Sequence, residues 1–261
     1  MTWIEAMILG IVQGLTEFLP VSSSGHLEIG KVLLNVEVQK SLTFTVLVHF
    51  ATVLSTVTVF YGEIRDLGKG LFAFKWNQET RYIFRILLSM IPVLVVGLFF
   101  HDEVQSLFTG NLVHVGSALL VTSALLISTQ LVKPGTGKVR FGDAFLMGIA
   151  QALAVIPGIS RSGATISTGL LLKRDRDNVA RFSFLMVLLP IIGAALLDIF
   201  SLRDPDAGPA IGAGALVAGF LAAYFSGVLA CKWMIRLVRR GNLYWFALYC
   251  ALVGITSIIL A

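Results

Sequence analysis

Charge is scarce in this 261-residue chain: Asp, Glu, Lys and Arg make up 13% of it and hydrophobic residues 56%, where soluble domains hold roughly 45–50% apolar residues. With a mean hydropathy of +0.86, that shortage excludes disorder and argues against a soluble enzyme. Cysteine is almost absent. Cys231 and Cys250 both lie inside apolar runs, so neither a disulfide framework nor a zinc-ligand spacing is present, and both are expected to pack against lipid or core. No basic flank surrounds Met1 to Glu5, as a secretory leader would have, so insertion is expected to rely on the hydrophobic segments themselves. Acids are outnumbered 15 to 20 by Lys and Arg, a net charge of +5. In so apolar a chain this excess reports topology and gives no reason to expect a nucleic-acid partner.

Long apolar runs are what the chain has. A membrane span takes ~20 apolar residues, and six runs qualify: about 41–61, 82–100, 112–132, 179–200, 212–237 and 243–260. Residues 3–36 and 141–173 are apolar at both ends but broken by Pro20-Val21-Ser22-Ser23-Ser24-Gly25 and by Pro157-Gly158-Ile159-Ser160-Arg161-Ser162-Gly163. Each second arm is too short to cross at about 1.5 Å per residue. Irregular backbone at membrane depth is tolerated only where protein or a cavity surrounds it. Both stretches are therefore expected to be re-entrant helical hairpins.

The hairpins are copies. Shifting the sequence by 138 positions pairs Ala6 with Ala144, Gly10 with Gly148, Ile11 with Ile149, Gln13 with Gln151 and Leu15 with Leu153. The same shift pairs Ser22 with Ser160, Ser24 with Ser162, Gly25 with Gly163 and Phe44 with Phe182. Each half holds one hairpin and three spans, and an odd number of crossings inverts the second half. The expected fold is thus a single all-α polytopic membrane domain, 1–261, with an inverted-topology repeat: repeat 1 about 1–132 and repeat 2 about 141–261. The joints at 62–81, 133–140, 173–181 and 232–240, with Arg85, carry sixteen of the twenty Lys and Arg. By the positive-inside rule these joints are cytoplasmic, both termini are outside, and the first hairpin comes in from outside.

A broken helix at mid-membrane exposes unpaired N–H groups and the positive end of a dipole, and two such ends facing each other make an anion site. Arg161 sits in the second tip, where an unpaired guanidinium is costly. A bidentate phosphate would satisfy it; so would a buried tie to Glu17, and the two could alternate during turnover. The first hairpin gathers Glu17, Ser22, Ser23 and His26. Ser23 and His26 stand one helical turn apart, a spacing that allows a hydroxyl nucleophile and its proton acceptor. The plainer reading is that the serines cap a helix and His26 bonds a carbonyl.

Gln13-Gly14-Leu15-Thr16-Glu17-Phe18-Leu19-Pro20-Val21-Ser22-Ser23-Ser24-Gly25-His26 and Pro157-Gly158-Ile159-Ser160-Arg161-Ser162-Gly163-Ala164-Thr165 closely resemble the two signature motifs of the bacitracin-resistance undecaprenyl-pyrophosphate phosphatases. The resemblance spans the whole chain. It implies an enzyme of the bacterial cytoplasmic membrane that converts the C55 lipid diphosphate to its monophosphate and recycles the carrier for peptidoglycan. It also implies that Glu17, Ser23, His26 and Arg161 are catalytic. Around them Gln13, Ser22, Ser24, Gly25, Ser160, Ser162, Gly163 and Thr165 would bind substrate. Where some members carry a second carboxylate this chain has Gln13, which argues against a strong protein-only metal site. A divalent cation, Mg²⁺ or Ca²⁺, is expected to bridge Glu17 and the diphosphate.

Other features have plainer explanations. His49, mid-span, is read as a packed neutral histidine, and Asp198 as interfacial. Gly135-Thr136-Gly137-Lys138 lacks the spacing of a phosphate loop. His101 and His114 flank an outer loop. Trp233, Tyr244 and Trp245 fit interfacial anchors, and Gly212, Gly214 and Gly219 would permit a homodimer. The competing class is a transporter or flippase of prenyl phosphate or another anion, since paired broken helices also serve anion transport.

Overall fold

The computed structural model describes residues 1–33, 38–107, 111–133, 135–193 and 211–261. They are helical throughout, apart from turns and one isolated bridge between Gly137 and Arg174. The elements are α1 (Trp3–Phe18), α2 (Ser23–Leu33), α3 (Val38–Val59), α4 (Tyr61–Phe72), α5 (Gln78–Phe99), α6 (His101–Gln105) and α7 (Leu112–Ser128, extended by a 3-10 turn). Then come α8 (Phe141–Leu153), α9 (Arg161–Leu171), α10 (Arg176–Met186), α11 (Ala213–Arg240) and α12 (Tyr244–Ile259).

Three helical stretches are long and apolar enough to cross a membrane by themselves: Gln78–Phe99, Leu112–Leu131 and Ala213–Arg240. The run expected at 41–61 becomes α3, which bends by 76° into α4, a helix with no buried residue. The run at 243–260 is a shorter helix of 16 residues. The run at 179–200 begins as α10, turns at Val187 and continues helical over 188–193; its remainder lies outside the described residues, as do residues 34–36 of the first hairpin and Asp198. Phe84, Leu87, Ile91, Leu94 and Leu98 are all exposed along α5. An apolar face of that length suits lipid and not water, and the chain is a multi-pass membrane protein.

Helix starts obey the 138-residue offset. α1 starts at Trp3 and α8 at Phe141; α2 starts at Ser23 and α9 at Arg161. The Thr2 amide donates to Glu5 at 2.9 Å, and 138 positions later the Arg140 amide donates to Asp143 at 2.6 Å. α1 packs along α11 and α8 along α5. Gly10 lies directly on the Gly219 carbonyl and Gly148 on the Ser89 carbonyl, and a Cβ at either would overlap that oxygen. Only glycine lets two helix backbones come so close. Gly219 is buried in that contact, so it is not part of a face open to a second copy, whereas Gly212 and Gly214 have open space around them.

The core under both tips contains Phe18, Phe60, Phe182, Phe184, Leu119, Met186 and Met234, all nearly inaccessible; Cys231 and Cys250 are buried beside them as free thiols. At the basic end Asp177 accepts from Arg181 at 3.1 Å and from Arg239 at 2.6 Å, and Arg181 also reaches Glu63. Arg174 pairs with Asp143 at 2.8 Å.

Candidate active site

α1 stops at Phe18 because Pro20 drives Leu19 into extended backbone, φ −71° and ψ 144°. The chain then folds back through Ser22, whose φ of +71° is left-handed, a conformation a residue with a Cβ holds only under constraint. The constraint is visible: the Ser22 hydroxyl accepts from the Gly25 amide at 3.3 Å and lies 3.3 Å from the Ser24 hydroxyl. At the second tip the Ser160 hydroxyl accepts from the Gly163 amide at 3.0 Å and lies 3.3 Å from the Ser162 hydroxyl. The same cap is thus built twice, at the spacing read from sequence.

The tips touch. Ser162 donates to the Leu19 carbonyl at 3.1 Å, and a Cβ on Gly25 would come within 3.1 Å of the Gly158 Cα. α7 holds the second tip through Thr122, whose hydroxyl donates to the Gly158 carbonyl at 3.0 Å and accepts from the Ser160 amide at 2.9 Å. Two helix N-termini, at Ser23 and Arg161, therefore converge, and their first-turn amides have no intrahelical acceptor.

The Glu17 carboxylate sits at this junction, and donors surround it. Ser23 donates to its Oε2 at 2.6 Å and Gln13 Nε2 at 2.9 Å. The Arg161 guanidinium lies 3.7 Å from Oε1, with the Glu17 side chain 7% exposed and that of Arg161 33%. The tie between halves that sequence allowed is thus formed. His49 Nε2 lies 4.0 Å from Oε2, while its Nδ1 faces the Thr45 carbonyl at 2.8 Å. Thr165 donates to the Arg161 carbonyl at 2.8 Å and hydrogen-bonds Ser183 at 2.6 Å. A cavity of about 20 Å³ remains among Glu17, Thr52, Thr56, Arg161, Thr165 and Ser183, room for one water.

Ser23 and His26 do not meet. His26 Nδ1 bonds back to the Ser22 carbonyl at 2.8 Å, and Nε2 bonds the Tyr249 hydroxyl at 2.8 Å, with the rings stacked 5.5 Å apart. A ring whose Nδ1 faces a carbonyl carries its proton there, so Nε2 accepts from the phenol. The backbone bond turns the imidazole towards α12, leaving the Ser23 hydroxyl to Glu17. Sequence reasoning passed over Tyr249 and Ser183, which only tertiary packing brings here, and took His49 for a packing residue. Its signal was an imidazole in mid-span.

No group of three His, Cys, Asp or Glu side chains that could hold a metal occurs among the described residues. Gln13 Oε1 is buried with no hydrogen-bond partner, so Glu17 and Gln13 supply oxygen donors that fit a cation shared with phosphate oxygens but not one held by protein alone.

Fold and site together define a polytopic helical membrane protein with a serine–carboxylate–arginine constellation between two broken helices. The chain belongs to the family described as Bacitracin resistance protein BacA, whose profile matches residues 6–256. It is 52% identical over 261 residues to an undecaprenyl-diphosphatase of Bacteroides thetaiotaomicron, covering 99% of both chains. It is 48% identical to that of Christiangramia forsetii, covering 98% of this chain and 97% of the relative. With that of Methanosphaera stadtmanae the identity is 38%, over 99% and 98%.

Proposed function

We propose that this protein hydrolyses undecaprenyl diphosphate to undecaprenyl monophosphate and phosphate, recycling the lipid carrier for peptidoglycan synthesis and conferring bacitracin resistance. The observation that carries the reading is the Ser23 hydroxyl donating to Glu17 at 2.6 Å beside the Arg161 guanidinium. A hydroxyl with its proton acceptor and a cation at two helix N-termini is what phosphoryl transfer needs, since that chemistry is mainly positioning and charge neutralisation.

The diphosphate displaces Glu17 from Arg161 and takes the guanidinium and the first-turn amides for itself. Ser23 Oγ attacks the terminal phosphorus in line and its proton passes to Glu17. A P–O bond forms to Ser23, the bond to the bridging oxygen breaks, and undecaprenyl monophosphate leaves. Water then attacks the phosphoserine, the P–O bond to Ser23 breaks, and the serine oxygen regains a proton. His26, released from Tyr249, accepts the water proton in this second half. Gln13, Ser22, Ser24, Gly25, Ser160, Ser162, Gly163 and Thr165 shape the pocket. Mg²⁺ or Ca²⁺, held by Glu17 and Gln13 jointly with the diphosphate, would supply further charge neutralisation.

The matched helix starts, the duplicated serine caps and the paired Gly10 and Gly148 contacts support an inverted repeat with two re-entrant hairpins, over about 1–132 and 141–261. The protein belongs in the bacterial cytoplasmic membrane with its basic end inside and both termini outside. Carriage of prenyl phosphate is the alternative; it uses the same tips but gives the Ser23–Glu17 pair nothing to do.

The test is phosphate release from a long-chain prenyl diphosphate in detergent, with and without divalent cation. Ser23→Ala and Arg161→Ala should each lose at least about 100-fold in turnover, and His26→Ala should accumulate phosphorylated Ser23. Near-normal turnover by Ser23→Ala would remove the covalent route. No release by well-folded wild-type protein, with lipid phosphate flux instead, would establish the transporter.

A further inference from the structure

A second cavity, of about 350 Å³, lies at the basic end, where α4, α5, the 133–140 joint and α10 meet. Its size falls within the about 300–1,000 Å³ of small-ligand sites. Arg81, Arg85 and Lys138 line it, against the single carboxylate of Glu79, with Tyr82 and Asn178 completing the polar wall. The nearby acids are already engaged: Glu63 and Asp177 with Arg181, Asp177 also with Arg239, and Asp143 with Arg174. Glu79 is thus the acid left facing three cations, and among the described residues no ion pair holds Arg81, Arg85 or Lys138.

Arg85 is held in place for an incoming ligand. Its guanidinium lies over the Phe141 ring, 5.3 Å from the centroid, and its Nε is buried without a hydrogen-bond partner. Arg81 is tethered through its Nε to the Asn77 carbonyl at 3.2 Å. Asn178 Oδ1 already accepts from the Val139 amide at 2.8 Å, which leaves its NH₂ to donate into the cavity. Apart from the Glu79 carboxylate and the Gln78 amide oxygen, the polar groups on the wall can all donate, and three of them are cations. Near the start of the long apolar helix α5, whose first turns also line the cavity, Trp76 and Phe84 pack 5.2 Å apart and are 60% and 46% exposed. Aromatic residues at a span end mark headgroup level, and basic pockets between helices at that level take anionic headgroups.

We infer that this cavity binds a phosphate group at the membrane surface, remote from the reacting tips and independent of hydrolysis. The chemistry it recognises is a phosphate ester or free phosphate, bound through Arg85 and closed over by Arg81 and Lys138. It suits the headgroup of an anionic phospholipid or of a prenyl monophosphate.

Native mass spectrometry of the whole protein in detergent tests this with phosphatidylglycerol, a prenyl monophosphate and phosphatidylcholine as added lipids, and thermal shift with inorganic phosphate forms a separate arm. Each cation near an anionic surface contributes about 1 kcal/mol, about a fivefold change in affinity. Arg81→Gln and Lys138→Gln, both at exposed positions, should therefore each weaken retention of the phosphate-bearing probe about fivefold, and Arg85→Gln at least as much, with phosphatidylcholine unaffected. Variant-sensitive retention of phosphatidylglycerol or of prenyl monophosphate identifies a lipid source, and variant-sensitive protection by inorganic phosphate alone identifies free phosphate. Retention of phosphatidylcholine equal to that of the anionic lipids, or retention unchanged in Arg81→Gln and Lys138→Gln, would overturn the site.

Discussion

His26 is held at both ring nitrogens, by the Ser22 carbonyl and the Tyr249 hydroxyl. That arrangement gives Tyr249 a role in orientation. The Ser22 carbonyl sets the tautomer, and the phenol, donating to Nε2, holds the ring in place and away from the Ser23 proton until His26 is released. Tyr249→Phe keeps the stacked ring and removes one hydrogen bond, so kcat should fall about two- to tenfold with KM unchanged, and phosphorylated Ser23 should accumulate as the second half slows. A shift in thermal stability without change in kcat would show the phenol to be merely structural. At this scale the sequence told much: Glu17, Ser23 and Arg161 do converge, because two serine-rich breaks at matched positions leave little else for them to do. It could not tell that Ser23 would bond Glu17 and not His26, since that depends on a left-handed Ser22 and on a tyrosine 223 residues away.

At the scale of elements, the helix breaks after Phe18 and Leu153 and the matched starts of α2 and α9 were legible because glycine, proline and serine are read locally. The caps formed at Ser22 and Ser160 where the motifs said they would. Lengths were harder. Hydropathy marks where a chain is apolar but not where it bends, so the run at 41–61 contains a 76° bend after Val59, and the run from 179 breaks at Val187. What fixes α1 and α8 against the rest is close backbone contact. Gly10→Val and Gly148→Val each drive a branched side chain into a carbonyl on the facing helix. Overpacking of this kind costs about 1–3 kcal/mol, so both variants should melt measurably earlier in detergent. Gly97→Val, where nothing lies within 4 Å, should melt with the wild type. Equal melting of all three would mean that α1 and α8 are not packed as described.

The whole molecule is polar in the electrical sense: its ion-pair network, its basic cavity and sixteen of its twenty Lys and Arg lie in four joints or beside them. If these face the cytoplasm, the 101–111 loop faces outside. The two native cysteines make this testable, because both are fully buried and should give little background with a membrane-impermeant maleimide. Ser106→Cys, at an exposed position of the outer loop, should label in intact cells. Thr136→Cys, exposed in a basic joint, should label only after the membrane is opened. The reverse pattern would invert the topology and put the Ser23 hairpin on the cytoplasmic side. Labelling of both in intact cells would mean that the 112–132 segment between them does not cross, and the inverted repeat would lose the odd number of crossings on which it depends.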